Sequence, residues 1–267
     1  MTDSNWKVVV DRDRLTISSD TFTFTTGGTD PMHVETAIAD LQSAIRGTYG
    51  QYCGLSRGAE MVGERWGFLI VRDLLNGPQS AAELHTGLPR MSPPLVARRL
   101  KELEYSGIVR ALDDGDTAEE HVRYELTAYG SALEDTVLAF GRWGAAALAT
   151  PREEDIVTDN SLQAALKTGF VTEAARGVRV SYELVIAHHL LHARIDDGVL
   201  EVGVGPLPGA DAKFDLGYAL LALMSGDMTA DDVLTTGQVR VEGDPAKLAQ
   251  FVEMFQLPRL PAPKVLA

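Results

Sequence analysis

Three cations on one predicted helix have the clearest chemical potential in this sequence. Arg98, Arg99 and Lys101 lie in the run MSPPLVARRLKELEYSG at residues 91–107. Three apolar side chains of the same run recur at helical spacing, namely Val96, Leu100 and Leu103. With that stripe packed inward, the cations reach outward, where they can contact phosphates and base edges in the major groove of double-stranded DNA. The stretch therefore predicts a helix that reads DNA.

Residues that start and stop helices mark the ends of this element. Ser92 can cap the helix, two prolines are tolerated in its first turn, and Gly107 is a natural stop. The preceding run SAAELHTGLP predicts a short helix capped by Ser80, with Glu83 at the capping-box position. Helix, turn and helix in this order is the arrangement that places the second helix in a groove of DNA.

A β wing is predicted after this pair of helices. Residues 108–112 and 121–126 are strands that flank a polar tip containing glycine. The tip is acidic and should repel phosphate, which leaves Arg110 and Arg123 at the strand ends as the cations of the wing. Residues 127–149 then predict one long helix. Four of its apolar side chains are spaced to pack on a partner: Leu133, Val137, Phe140 and Trp143.

From Cys53 to about Gly144 the sequence resembles the HxlR-type winged helix-turn-helix regulators of bacteria. The matching motifs are Cys53, Gly63 with Trp66, Leu69-Ile70 with Arg72, Gly77-Pro78, Glu83-Leu84, Ser92-Pro93, Arg99-Leu100 with Glu102-Leu103-Glu104, Gly107-Ile108-Val109, Tyr124 with Leu126-Thr127 and Gly130, and Trp143-Gly144. The resemblance implies a homodimer that binds operator DNA with paired recognition helices. The sequence departs from the family at its acidic wing tip and at residues 79–82, which lack the aromatic side chain usual before the Glu-Leu pair.

The predicted DNA contacts follow from the helix, the turn before it and the wing. They are Arg90, Ser92, Arg98, Arg99, Lys101, Arg110 and Arg123. Arg98 is the stronger candidate for reaching base edges, because Arg99 belongs to the family's helix pattern and can be structural. In a simpler interpretation the cations of the helix only pair with Glu102 and Glu104, which contributes tenths of a kcal/mol to stability.

The overall charge argues against tight DNA binding. The 267 residues have a net charge of -14, and acidic residues outnumber basic ones in residues 1–52, 53–150 and 151–267 alike. Because Lys and Arg supply most of the non-specific affinity for DNA, any contact must come from local clusters. Binding should then be weakened steeply by salt and be poor on random sequence.

Composition favours a folded cytoplasmic protein. Hydrophobic residues make up 45% of the chain, yet no apolar run approaches the roughly 20 residues of a membrane helix, and the first residues lack a basic leader. The single cysteine cannot form an internal disulfide, which fits a reducing compartment. No phosphate loop, nucleophile elbow or paired-carboxylate motif occurs. We therefore expect no enzymatic activity, no cofactor, no metal and no membrane contact.

The fold class expected for the whole chain is α+β, with three parts. Residues 1–50 predict a β ribbon at 6–26 and a packing helix from Asp30 to Gly47, whose role is open. Residues 51–150 form the winged helix-turn-helix domain. The charged run PREED at 151–155 predicts a linker into a separate domain at residues 156–260.

The C-terminal part predicts a sheet covered by helices. A helix at 162–170 precedes three strands, with an Asp-Asp-Gly turn at 196–198. A strand, helices at 217–225 and 229–235, an edge strand at 239–242 and a final helix that starts at Pro245 follow.

Residues 160–257 resemble the sterol carrier protein fold. The resemblance rests on Asp211 with Phe214-Asp215-Leu216, Leu220-Leu221-Ala222-Leu223, Gly226-Asp227 and Gly237 with Val239-Arg240-Val241-Glu242-Gly243-Asp244. It implies an apolar pocket for a hydrophobic small molecule. The candidate ligand-binding residues are Phe214, Leu220, Met224, Phe251 and Phe255. The same side chains can also be ordinary core packing.

Two smaller features have both a functional and a structural interpretation. Some HxlR-type proteins sense electrophiles or oxidants through a cysteine near the place of Cys53, but a buried, inert Cys53 is the favoured interpretation because no Lys or His flanks it. On a strand, His188 and His192 would share a face while His189 points away. Two histidines without a carboxylate do not make a metal site.

These observations lead to one main hypothesis and two rivals. The main hypothesis is a dimeric transcription regulator that binds operator DNA through its winged helix and is modulated by a hydrophobic small molecule in the C-terminal part. In the alternative, the acidic winged helix has lost DNA binding and the protein binds or transforms an apolar small molecule. A third possibility is a redox-sensing repressor that works through Cys53.

Overall fold

The computed structural model describes residues 7–11, 14–19, 22–27, 48–112, 122–148 and 154–261. It divides into two compact units, Met1–Glu64 and Arg65–Ala267. The predicted helix at residues 30–47, the acidic wing tip and the start of the predicted linker lie outside the described residues.

The first unit contains a three-stranded antiparallel sheet and a helix. The strands are β1 (Lys7–Asp11), β2 (Arg14–Ser19) and β3 (Phe22–Gly27), in the order β1-β2-β3. They occupy the stretch predicted as a β ribbon. The helix α1 (Gly54–Val62) buries Val62, whereas Leu55 is 83% exposed. Leu55 lies in the first turn of α1 and faces solvent.

The second unit begins with a winged helix, as the sequence predicts. Its elements are α2 (Gly67–Leu74), β4 (Gln79–Ser80), α3 (Ala81–Gly87), α4 (Pro93–Tyr105), β5 (Val109–Leu112) and β6 (Arg123–Leu126). The strands form a three-stranded sheet in the order β4-β6-β5, so the wing strands are joined to the start of the helix-turn-helix. A buried apolar core holds the three helices together: Ile70, Val71, Leu74, Leu84, Met91, Val96, Leu100, Leu103 and Ile108.

The single long helix predicted at residues 127–149 is two helices in the structure. They are α5 (Ala128–Ser131) and α6 (Glu134–Ala145). Gly130 packs so closely on the backbone carbonyl of Ile108 that a Cβ atom has no room there. Thr127 adds to this contact, since its hydroxyl donates to the Gly107 carbonyl at 2.6 Å and accepts from the Gly130 N–H at 3.0 Å. The short α5 is thus fixed on the residues just before β5, and the chain turns before α6 begins.

The rest of the second unit is a five-stranded sheet with helices. The elements are α7 (Asp159–Gly169), β7 (Arg179–Ile186), β8 (His189–Asp196), β9 (Val199–Val204), β10 (Ala212–Asp215), α8 (Leu220–Ser225), α9 (Ala230–Thr235), β11 (Arg240–Gly243) and α10 (Ala246–Met254). The strand order is β11-β10-β7-β8-β9, with β10 parallel to β7 and the other pairs antiparallel. The predicted edge strand is β11, at one end of this sheet.

The core of this part lies on one face of the sheet. Alternate side chains of β7 and β8 are buried, as period-two strands with one covered face require. Side chains from all four helices α7 to α10 join them in one cluster. The sequence predicted strands and helices in this part of the chain.

Candidate nucleic-acid interface

The helix α3 is capped at its start, and the turn that follows it is closed by a side-chain hydrogen bond. Ser80 and Glu83 form the predicted capping box, with the Glu83 N–H donating to the Ser80 hydroxyl at 3.2 Å and the Ser80 N–H donating to the Glu83 carboxylate at 2.7 Å. Nδ1 of His85 lies 2.8 Å from the Met91 carbonyl, which can only accept, so this nitrogen donates. Sequence analysis missed His85, whose partner appears only once the turn is folded.

Two of the three cations of α4 reach outward as the sequence predicts, and the third does not. Val96, Leu100 and Leu103 form its buried stripe, while Arg98 and Lys101 keep 64% and 71% of their side chains exposed. Arg99 is only 14% exposed, which fits the structural role considered for it. Ser92 occupies the N-cap position with extended backbone, but its hydroxyl makes no capping hydrogen bond. The exposed Ser92 hydroxyl can therefore donate to a group outside the helix.

Each cation of α4 already has a carboxylate partner. Arg98 lies 3.8 Å from Glu102, Arg99 forms an ion pair with the same glutamate, and Lys101 lies 3.1 Å from Glu104. The pairs span three or four residues along the exposed helix, where such pairs contribute at most about 1 kcal/mol. A phosphate can therefore replace these partners at little cost in stability.

The wing cations are also paired, at the base of the wing. Nε of Arg110 donates to Glu125 on the neighbouring strand at 2.7 Å. Arg123 lies 3.2 Å from Glu83 and also donates to the Pro78 carbonyl. The Ser80 N–H that donates to Glu83, together with Arg123, holds the pKa of Glu83 below its ordinary value. Arg123 thus ties the wing to the start of α3.

Arg90 lies in the turn before α4 and donates to the Glu154 carbonyl at 2.6 Å. The structure thus places six predicted cations on α4, on the wing strands and in the turn that joins α3 to α4. Their contact with DNA stays a prediction.

The five predicted ligand-binding residues come together in the C-terminal core. Phe214, Leu220, Met224, Phe251 and Phe255 each expose 5% or less of their surface and belong to one apolar cluster. Phe251 stacks on Phe255 at a centroid distance of 4.4 Å and meets Phe214 edge-on at 5.7 Å. The cluster therefore joins β10, α8 and α10, and its use as a ligand site stays a prediction.

Sequence analysis missed Tyr182 as a member of this cluster. Its ring lies 5.2 Å from that of Phe214 and 5.4 Å from that of Phe251, and its hydroxyl donates to Gln250 at 3.4 Å. Burial raises the pKa of the Tyr182 phenol. The alternation of β7 places Tyr182 on the buried face and could have identified it.

Cys53 differs from its predicted buried, inert state. It is a free, exposed thiol at the N-cap position of α1. The backbone N–H groups of Ser56 and Leu55, in the first turn of the helix, favour the thiolate and lower the pKa of Cys53. The prediction of a buried Cys53 is therefore wrong. Its reasoning from flanking Lys or His residues also left out the backbone N–H groups at the start of a helix.

The histidine pattern is also corrected. His188 lies in the two-residue turn between β7 and β8, since Ile186 pairs with His189, so His188 and His192 do not share a strand face. His189 lies on the covered face, and its Nδ1 is 2.7 Å from an Asp159 oxygen. Across the described ranges, His, Cys, Asp and Glu side chains form no group of three that could hold a metal ion. None of the helices in those ranges is long and apolar enough to cross a membrane.

Comparison with known proteins places the winged helix in a family. A family model described as HxlR-like helix-turn-helix matches residues 61–151. The HTH-type transcriptional regulator YvaP of Bacillus subtilis is 34% identical over 87 residues, which cover 33% of this chain and 80% of YvaP. The HTH-type transcriptional regulator YodB of the same organism is 35% identical over 83 residues, which cover 31% of this chain and 73% of YodB.

A solved structure related to this chain is that of quinone-bound YodB from B. subtilis. It is 31% identical in the matched region, which covers 34% of this chain and 96% of YodB, with a TM-score of 0.30. These matches are with transcriptional regulators.

Proposed function

The chain belongs to the HxlR-like helix-turn-helix family, and from this premise we propose that it is a transcription regulator that binds operator DNA as a homodimer. The observation that supports this best is the outer face of α4, where Arg98 and Lys101 are exposed opposite the buried stripe. The N-terminal part of α4 enters the major groove, and Arg110 and Arg123 contact the phosphates beside it.

The experiment that tests this proposal is a DNA-binding titration of a double variant. A duplex enriched by the protein from a random-sequence pool is titrated at moderate salt with wild type and with Arg98→Ala/Lys101→Ala. We expect the variant to bind at least about tenfold more weakly, since contacts of this kind contribute about 1–3 kcal/mol.

The matched control is Arg179→Ala/Arg194→Ala, which removes two exposed arginines from the C-terminal sheet. It changes the net charge by the same amount, so it should leave the affinity within about twofold. Equal losses in both variants would remove α4 from the interface. If no duplex is enriched at all, the alternative of a winged helix without DNA binding replaces this proposal.

We further propose that the C-terminal cluster accepts a hydrophobic small molecule. Support comes from five apolar side chains that lie in one buried cluster, and from the resemblance of the sequence of residues 160–257 to the sterol carrier protein fold. Mass spectrometry of organic extracts of the purified protein tests this. A bound apolar molecule should be present in extracts of wild type and reduced in Leu220→Trp, which places a larger side chain in the cluster. Identical extracts from both proteins contradict the assignment.

A second candidate response is modification of Cys53. The favouring observation is that this exposed thiol has a lowered pKa at the start of α1. A thiolate is the nucleophilic form of cysteine, so electrophiles would react with it selectively. If DNA release by an electrophile is unchanged in Cys53→Ser, this response is excluded.

A further inference from the structure

The helix α7 is held to the C-terminal core along its whole length. Leu162 and Leu166 of α7 belong to the buried cluster. At its start, Asp159 lies 2.7 Å from Nδ1 of His189 on β8. At its end, the Gly169 carbonyl accepts from the Gln256 N–H at 2.7 Å, just beyond α10. A change in the packing of the cluster therefore acts directly on α7.

The end of α7 touches the side chains proposed to bind the effector. Gly169 packs on the terminal methyl of Met224 so closely that a Cβ atom would overlap with it. The ring of Phe170, the residue that ends α7, lies 5.5 Å from that of Phe255, and the two residues also form a β-bridge. Rearrangement of Met224 or Phe255 around a ligand would displace this end of the helix.

The other side of α7 is hydrogen-bonded to the winged helix. Nζ of Lys167 donates to the Leu75 carbonyl at 3.1 Å and to Asn76 at 2.9 Å, at the end of α2. Asn160 lies between Asn76 and Gln79, at 3.5 and 3.4 Å. Arg142 of α6 donates to the Thr168 carbonyl at 3.3 Å. We call Asn76, Gln79, Asn160 and Lys167 the α7 junction.

The junction meets the first helix of the helix-turn-helix at Gly87. A Cβ atom on Gly87 would lie 2.6 Å from an Asp73 oxygen and 2.6 Å from Nδ2 of Asn160. Asp73 itself is fully buried. At this point α2, α3 and α7 approach one another without space for a methyl group, and such close packing transmits displacement.

The polar side chains of the α7 junction are half-buried. Burial lowers the pKa of the Lys167 amine, and the carbonyl and amide oxygens around it accept its hydrogen bonds. If α7 shifted alone, these half-buried polar groups would lose their partners, which is costly in a low-dielectric interior. We therefore expect α7 and the winged helix to move together.

We propose that α7 couples the C-terminal cluster to the helix-turn-helix, so that rearrangement around Met224 and Phe255 is transmitted through the α7 junction to α3 and α4. The inference rests on the proposed function for its biological meaning, since the transmitted change would alter operator binding. The physical coupling exists whether or not the protein binds DNA.

Hydrogen exchange of the full-length protein measures the coupling without DNA or a ligand. Phe255→Leu perturbs the cluster at its contact with Phe170, and Met224→Leu does so more mildly if the first variant folds poorly. Each is made in wild type and in the junction variant Asn160→Ala/Lys167→Met. In wild type, the perturbation should speed exchange in α3 and α4 by about threefold or more. In the junction variant, it should change exchange there by less than about 1.5-fold.

The matched control for the junction variant is Arg194→Met/Glu201→Ala, which removes an exposed ion pair of 3.7 Å between β8 and β9. In this background the response of α3 and α4 to Phe255→Leu should remain as in wild type. The same response in the junction variant as in wild type, or no response in wild type, overturns the coupling.

Titration of the enriched duplex with the same proteins separates this inference from the proposed function. Phe255→Leu should change the affinity for the duplex when it is introduced into the wild-type protein, but not when it is introduced into the junction variant. Coupled exchange without any duplex binding leaves the coupling intact and removes the operator-binding function. Duplex binding without coupled exchange overturns the coupling and leaves the operator-binding function intact.

Discussion

Arg98 and Lys101 each lie within a turn of a glutamate, so their charge is already neutralised in part before any DNA arrives. The spacing of cations and apolar residues in α4 was sufficient to predict which side chains point outward. It could not settle whether they pair with Glu102 and Glu104, because the rotamers of exposed side chains are not set by periodicity. The structure shows both exposure and pairing.

The thiol of Cys53 gives the first prediction at this scale. The N–H groups at the start of α1 lower its pKa, so the rate of alkylation by iodoacetamide should reach its plateau at a lower pH in the folded protein than in the unfolded chain. Because the chain has one cysteine, the rate can be followed by the mass of the intact protein.

The same protein in urea is the control, since unfolding removes the helix and leaves the thiol in place. Coincident pH profiles for folded and unfolded protein would contradict a lowered pKa.

Asp73 gives the second residue-scale prediction. Burial raises the pKa of its carboxyl above the ordinary value of 3.8, although Arg72 offsets part of this effect. As pH rises from 3.8 to the raised pKa, the unfolded state loses this proton before the folded state does, so the wild-type free energy of unfolding falls. Asp73→Asn lacks this loss, and its stability relative to wild type should increase across that window.

Urea unfolding of both proteins over a pH series measures this difference. Asp215→Asn, which removes an exposed carboxylate from β10, is the control. A difference between Asp73→Asn and wild type that stays constant with pH, or decreases as pH rises, would show that the carboxyl is not destabilised by burial.

At the scale of the elements, local sequence patterns were most informative where a cap or a turn is built from neighbours. The capping box at Ser80 joins residues three positions apart, and α4 ends near Gly107, whose φ is 70°. Both features depend on neighbouring residues, and both were predicted. The break between α5 and α6 was not, because the cause is the approach of Gly130 to Ile108, which precedes β5 and is 22 residues away in the chain. A contact between residues far apart in the chain does not appear in the hydrophobic periodicity of the sequence.

The helix α6 leads to a prediction about assembly. Phe68, Phe140 and Trp143 stack in a row, with centroids 5.4 and 5.6 Å apart, and Phe140 and Trp143 remain 55% and 67% exposed. Exposed aromatic side chains in a row are typical of a protein interface. We therefore expect Phe140→Glu/Trp143→Glu to convert the proposed dimer to a monomer in sedimentation velocity runs.

Tyr218→Glu, at another exposed aromatic residue, should leave the sedimentation coefficient unchanged. Retention of the dimer by the α6 variant would place the interface elsewhere.

At the scale of the whole molecule, the sequence predicted the winged helix and a sheet covered by helices, but gave no indication of how they meet. Lys167 and Asn160 are polar residues of the kind found on an ordinary solvent-exposed face of a helix. Their partners at the end of α2 are more than 80 residues away in the chain, at separations of 84 and 92 residues. Only folding of Arg65–Ala267 as one unit brings these groups together.

The charge of the molecule gives a prediction for DNA binding in salt. With a net charge of -14, favourable attraction is confined to the local cations. The logarithm of the binding constant should fall linearly with the logarithm of the KCl concentration, by about 0.9 per phosphate neutralised. Because Arg98→Ala/Lys101→Ala removes two such cations, its slope should be shallower by about 1 to 2.

Fluorescence anisotropy titrations with the enriched duplex at several KCl concentrations give both slopes. Parallel lines for wild type and variant would mean that neither cation displaces counterions from DNA.

The exposed position of Cys53 has a practical consequence. Because it is the only cysteine in the chain, a spin label or fluorophore can be attached at one defined site without replacing any other residue. A dimer of labelled chains would hold two identical labels, and the distance between them could be measured by pulsed electron paramagnetic resonance. The native sequence thus allows the distance between two protomers to be followed when DNA or a small molecule is added.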